Sequence, residues 1–234
     1  QLAGVPPLEL PTDFPRPSIR TTRGSTRPCV LSPETSAAVR EFCGREGVTP
    51  FMVLLAAFQV LLNRYSGQDD FAVGVPVANR SRPETQPLIG YFVNVVVLRA
   101  NLADDPSFRQ IVARVRQIGL DAFERQEMTL DQVVDAVKPA RDLSRNPLFQ
   151  VMFALQNLPL PQPPDVGLEI TLLDDSPAPQ SANFDLTLEL FDRTDGFQGG
   201  LNFSTDLFRP ETIDRMVQQY QVLVAAAVGA PDQK

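Results

Sequence analysis

The chain contains no histidine, which removes the commonest general base and the usual metal ligand. Nucleophile pairs of the Ser–His or Cys–His kind are excluded, and so are zinc sites of the His or Cys type, because Cys29 and Cys43 cannot supply four ligands. The adjacent carboxylates Asp69–Asp70, Asp104–Asp105 and Asp174–Asp175 fit no EF-hand spacing, and turn or helix-start solvation accounts for each. No phosphate-cradling GxxxxGKS/T or GxGxxG run occurs, and Gly199–Gly200 reads as a bulge after a hairpin. What remains is polar side chains on apolar strands: Asn94 within 92–98, Gln150, Gln156 and Asn157 around 148–155, and Asp185 within 184–190. A buried amide or carboxylate must be hydrogen-bonded, so each is a strand-end fastener or lines a polar tunnel. Arg141, Asp142 and Arg145 precede Asn146–Pro147, where guanidinium and carboxylate forks could clamp a turn that feeds a buried strand.

The elements that must position these groups follow from periodicity. Residues 1–28 carry Pro6, Pro7, Pro11, Pro15, Pro17 and Pro28 among scattered arginines, a composition for an extended tether. A short strand over 29–31 precedes a helix capped by Ser32 with Pro33 in its first turn, ending near Gly44 or Gly47. Thr49–Pro50 opens a second helix over 51–65, apolar on nearly every side and therefore central. A strand over 71–77, a loop over 78–87 and a Val-rich strand within 89–99 follow. Asp104, Asp105 and Pro106 signal a long amphipathic helix over 107–125, and Thr129 with Gln132 forms a capping box for a short helix over 130–137. After the strand at 148–155 come a proline-rich loop holding an edge-like strand at 166–173, a hairpin of 184–191 and 197–203 turning at Asp195–Gly196, and a helix over 211–228. The expected fold class is α+β, a two-layer mixed sheet covered by helices.

At 234 residues with 43% hydrophobic content, the chain can bury a large core. A net charge of −7 argues against binding a phosphate backbone. Two cysteines at no metal or redox spacing suit a reducing compartment, and the longest apolar run, 51–62, falls short of the ~20 residues of a membrane span. A cytoplasmic protein without nucleic-acid or membrane partners is expected. The first residue is Gln1 rather than methionine, which suggests a fragment or a processed product.

The motifs carry a resemblance. Ile89-Gly90-Tyr91-Phe92-Val93-Asn94 with Leu98-Arg99 is similar to an IGxFVN motif. Residues 141–149 fill every fixed position of RDxSRxPLF, through Arg141, Asp142, Ser144, Arg145, Pro147, Leu148 and Phe149, and residues 10–17 look like an LPTDxPRP connector. In this order they resemble the C-terminal lobe of the condensation domain of nonribosomal peptide synthetases, in the chloramphenicol acetyltransferase-like superfamily. The resemblance divides the chain into an inter-lobe connector (1–28), the lobe (29–230) and a tail (231–234). It implies two similar lobes in a V, with a tunnel admitting phosphopantetheine arms from donor and acceptor peptidyl carrier proteins. The arms belong to the carriers, and no cofactor is expected to bind the lobe directly. Gly90, Tyr91, Asn94, Gln156 and Asn157 would line that tunnel, while Arg141, Asp142, Ser144, Arg145 and Pro147 would fix the turn beneath it.

Amide formation in this family depends on an HHxxxDG motif of the N-terminal lobe, absent here, so no catalytic residue is expected in this chain and it should be inactive alone. Residues 125–131 are a weak version of the family's HQDxPFE, and Val95 replaces the usual threonine. The N-terminal lobe and an adjacent adenylation domain are expected partners, and an uncovered inter-lobe face should promote self-association. The alternative expectation is a non-catalytic module that docks carrier proteins or tailoring enzymes.

Overall fold

The computed structural model describes residues 1–80, 82–140, 142–157 and 181–234. Arg141 and the strand expected over 166–173 lie outside the described residues. The elements are β1 (Gly24–Val30), α1 (Pro33–Glu46), α2 (Pro50–Ser66), β2 (Asp70–Val77), β3 (Asn94–Asn101), α3 (Phe108–Phe123), α4 (Leu130–Val137), β4 (Val151–Gln156), β5 (Leu186–Arg193), β6 (Gly196–Ser204) and α5 (Pro210–Gly229).

Helix boundaries follow side-chain chemistry. Ser32 and Thr49 each accept the amide of the third residue onward, and each is followed by proline where no donor is needed. Gly47 and Gly67 end these helices in the left-handed conformation (φ 63° and 70°). Ser107 with Gln110 and Thr129 with Gln132 make reciprocal capping boxes on α3 and α4. Asp104 and Asp105, expected as the start signal of α3, instead turn the chain with positive φ, and Ser107 does the capping.

The six strands form one sheet in the order β1-β6-β5-β4-β2-β3. β4 runs parallel to both β2 and β5, and the other pairs are antiparallel. Alternate side chains separate the two faces. Phe71, Val73, Val96, Leu98, Val151, Phe153, Leu188, Leu190, Leu201 and Phe203 point into the main core under α1, α2, α3 and α5, with α2 at its centre. On the other face Ala72, Leu148 and Phe149 form a smaller cluster against Leu130, Val133, Val134 and Val137 of α4. The fold is α+β, a mixed sheet covered by helices.

Four further details differ from the sequence expectations. β1 begins at Gly24 rather than Cys29, because it pairs residue by residue with β6; Pro28 is tolerated on this sheet-edge strand, where one row of donors has no partner strand. β3 begins at Asn94, leaving 89–93 outside the sheet. β4 begins at Val151, because Leu148 adopts φ 67° and bends the chain into the strand. Gly199 and Gly200 form no bulge: both stay in register with β5 and β1. A Cβ at Gly199 would collide with the Glu189 carbonyl oxygen, and one at Gly200 would stand 2.6 Å from Thr26 Cγ2. Close strand approach is their reason.

Candidate functional site

The two ends of β4 divide the polar residues. At its N-terminal end Asp142 accepts the Ser144 amide (2.8 Å). Hydrogen bonding from Ser144, helped by Arg145 and Arg16, holds the Asp142 carboxyl below the usual carboxylate range. Arg145 donates from both terminal nitrogens to Glu9 (2.6 and 2.9 Å), and its Nε lies 3.4 Å from Asp142. Arg16 grips both oxygens of Asp185, at 3.0 Å on one side, and also donates to the Ser144 carbonyl (3.3 Å). Gln150 accepts the Leu8 amide (2.7 Å) and donates to the Asn146 carbonyl (3.1 Å). The Pro147 carbonyl accepts the Phe149 amide (2.9 Å).

The expected clamp within residues 141–145 is thus mostly a clamp onto residues 8–20. That segment is no free tether: Leu8 and Leu10 are buried, and Asp13 caps α5 by accepting the Arg209 amide (2.8 Å) and the Thr212 hydroxyl (3.0 Å). The cleft lined by Arg16, Arg20, Ser144, Arg145, Asn183 and Asp185 encloses about 20 Å³, room for a single water. This end is architecture.

At the opposite end, Val77 of β2 pairs with Asn94 of β3 beside the end of β4. The Asn94 amide nitrogen donates to the carbonyls of Gln126 and Met128 (2.8 Å each), fastening β3 to the turn between α3 and α4. Gln156 donates to Glu189 (3.1 Å), and Asn157 is exposed. Asn94 alternates with Val96 and Leu98 toward the helical face, whereas Gln156 alternates away from Val151 and Phe153, so the two share an end of the sheet but not a face.

Gly90 and Tyr91 stand on the loop before β3, where Ile89 is 104% and Tyr91 90% exposed, flanked by exposed Leu88 and Val93. This loop folds on Arg80, which the sequence did not single out. Its guanidinium lies 4.1 Å from the Phe92 ring centroid and donates to the carbonyls of Thr85, Gln86 (3.4 Å) and Gly90 (3.4 Å). A Cβ on Gly90 would approach Phe92 to 3.1 Å, so glycine lets the loop double back onto that ring. Among the described residues no group of three acidic or Cys residues could hold a metal. No single helix there is long and apolar enough to cross a membrane.

Residues 1–234 match the family model described as Condensation domain. The chain belongs to the condensation domain family. A linear gramicidin synthase of Brevibacillus parabrevis is 42% identical over 234 residues, all of this chain and 4% of that protein. Phosphinothricin tripeptide synthetase of Streptomyces viridochromogenes is 39% identical over 240 residues, 99% of this chain and 21% of that protein. The chain therefore spans a small part of the curated relatives it matches.

Among solved structures, a four-domain nonribosomal peptide synthetase bound to AMP and glycine superposes with a TM-score of 0.86 at 25% identity, covering all of this chain and 19% of that one. The X-domain from teicoplanin biosynthesis gives 0.86 at 24% identity, covering 99% of this chain and 53% of that one. The family match spans both ends of β4 in this condensation-domain chain. The motif at 141–149 belongs to the clamped end and the motif at 89–94 to the open one.

Proposed function

We propose that this chain is the C-terminal lobe of a peptide-bond-forming condensation domain, contributing scaffold and acceptor-side surface in nonribosomal peptide synthesis. In that reaction the acceptor amine on one carrier's phosphopantetheine arm attacks the thioester carbonyl on the other. The C–N bond forms, the C–S bond breaks, and the amine proton leaves with the departing thiol. The HHxxxDG lobe supplies the histidine, and this lobe supplies none. Donor and acceptor carrier proteins, the N-terminal lobe and a neighbouring adenylation domain are its partners, in a cytoplasmic setting. The relatives named for gramicidin and phosphinothricin tripeptide synthesis support an antibiotic or other secondary-metabolic product.

The observation that carries this reading is a whole-length family match in a chain without histidine. The loop at 88–93, with Ile89 and Tyr91 outermost, is the surface that meets the N-terminal lobe, and Asn94, Gln156 and Asn157 line the tunnel at the same sheet end. The RDxSRxPLF turn secures the connector between lobes. In this reading residues 1–28 are the inter-lobe connector, 29–230 the lobe and 231–234 a tail.

The test is single-turnover product formation by a two-lobed protein with loaded donor and acceptor carriers, read by intact mass. Dipeptidyl product is expected from the two-lobed protein and none from residues 1–234 alone, which should instead self-associate as concentration rises in sedimentation velocity. A degenerate HHxxxDG in the upstream lobe, with no product, would overturn the reading in favour of a docking module. The solved complex of the X-domain with OxyB makes that alternative concrete for a protein of this fold.

A further inference from the structure

We propose that Arg80 is a positioning residue: it gathers residues 82–92 into a ring beneath its guanidinium and thereby sets where Ile89, Tyr91 and Asn94 stand. The inference rests on the reading of that loop as inter-lobe surface. Residues 82–93 hold little structure of their own, namely a single 3-10 turn over Pro83–Thr85 and the short amide bonds of Thr85, Gln86 and Leu88. None of these reaches Gly90 or Phe92 on the return limb. Arg80 does so, because one planar guanidinium meets the carbonyls of Thr85, Gln86 and Gly90 while its face covers Phe92.

Each contact has a different consequence. The Thr85 and Gln86 carbonyls fix the outgoing limb, the Gly90 carbonyl fixes the return, and the stacked Phe92 ring turns inward. With Phe92 drawn in, its neighbours are displayed: Tyr91 is 90% exposed and Ile89 fully so. Two residues beyond Phe92, Asn94 begins β3 and is fastened to Gln126 and Met128, so the ring ends on an anchored residue. Lysine cannot substitute, since an ammonium is a compact point charge without the planar fork that both stacks and bridges carbonyls. Asn79, just before Arg80, has φ 50°, which turns the chain sharply at the exit of β2 and brings the guanidinium over the loop.

The experiment compares the two-lobed wild type with Arg80→Ala, Arg80→Lys and Phe92→Leu by peptide-resolved hydrogen exchange and by single-turnover transfer. In Arg80→Ala, exchange in peptides covering 82–93 should speed by roughly tenfold while peptides from β5 and β6 are unchanged. Transfer should fall by about tenfold to a hundredfold at saturating acceptor carrier, with half-saturation altered less than about twofold, as misplacement rather than lost binding predicts. Arg80→Lys should behave like Arg80→Ala, and Phe92→Leu should show a smaller loss of both kinds.

Unchanged exchange at 82–93 overturns the claim, as does faster exchange there with undiminished transfer, or full rescue by lysine. A wild type that transfers nothing defeats the functional reading instead, and the exchange measurement then decides the ring on its own.

Discussion

The two ends of β4 hold polar residues in opposite ways. At the N-terminal end the described polar groups bond within the chain: Arg16 to Asp185, Arg145 to Glu9, and Gln150 to Leu8 and Asn146. At the C-terminal end Asn94 is fastened by two bonds and Gln156 by one, and the loop leading into Asn94 carries Ile89 and Tyr91, the most exposed large apolar side chains among the described residues. Exposed apolar side chains on a loop that ends at an anchored residue are the surface that the proposed lobe interface would use. The clamped end ties distant parts of the chain together, and the other end combines an anchored strand start with an exposed loop.

Four perturbations separate the two ends. Asp185→Ala should be the most damaging to stability, at about 3–5 kcal/mol, since it removes the carboxylate that both terminal nitrogens of the largely buried Arg16 guanidinium grip; the urea midpoint measures it. If the loss is below about 1 kcal/mol, as for an exposed pair, the clamp is not structural. Next is Gly74→Ala, where the new Cβ would collide with the Phe149 ring. Overpacking between β2 and the bend before β4 should cost about 1–3 kcal/mol, and a melting temperature at or above wild type would contradict that.

Asn94→Ala should cost only about 1 kcal/mol of stability, because the carbonyls it releases lie near solvent. In the two-lobed protein it should nevertheless slow transfer by roughly tenfold or more, and equal losses in both assays would erase the contrast between the ends.

The smallest effect is a pH dependence. The Asp142 carboxyl titrates below its unfolded value of about 3.9. Its contribution is therefore present above that value and is lost as pH falls through the lower folded pKa. The Asp142 carboxyl shift and the Ser144 amide shift should move together below about pH 4, and Asp142→Asn should abolish the amide's movement.

Much of this was legible in the residues. The α2 helix could be placed at the core because it is apolar all round, and the hairpin followed from Asp195–Gly196, where Gly196 sits at φ 141°. The capping box of Thr129 and Gln132 is as expected. What stayed hidden was long-range pairing. Arg16 and Asp185 lie 169 residues apart, and Arg145 and Glu9 lie 136 apart, so nothing local marks them as partners. The prolines of 1–28 correctly exclude a helix, but they do not say whether an extended segment is free or strapped down. For the site, local spacing found Asn94 and Gly90, but it missed Arg80, whose role depends on a loop conformation that has no periodicity.

The pairing of β1 with β6 has a consequence for biosynthesis. Gly24 meets Ser204 and Val30 meets Gln198, so β1 waits for β6, which is made about 170 residues later. At roughly 5–20 residues per second of translation, β1 remains without its partner for something like ten seconds or longer. Through that interval its backbone donors and the apolar face of Cys29 are open to other chains. Nascent chains stalled before β6 should therefore be far more prone to aggregate than those stalled after it, which makes the β5–β6 hairpin the point at which β1 is covered.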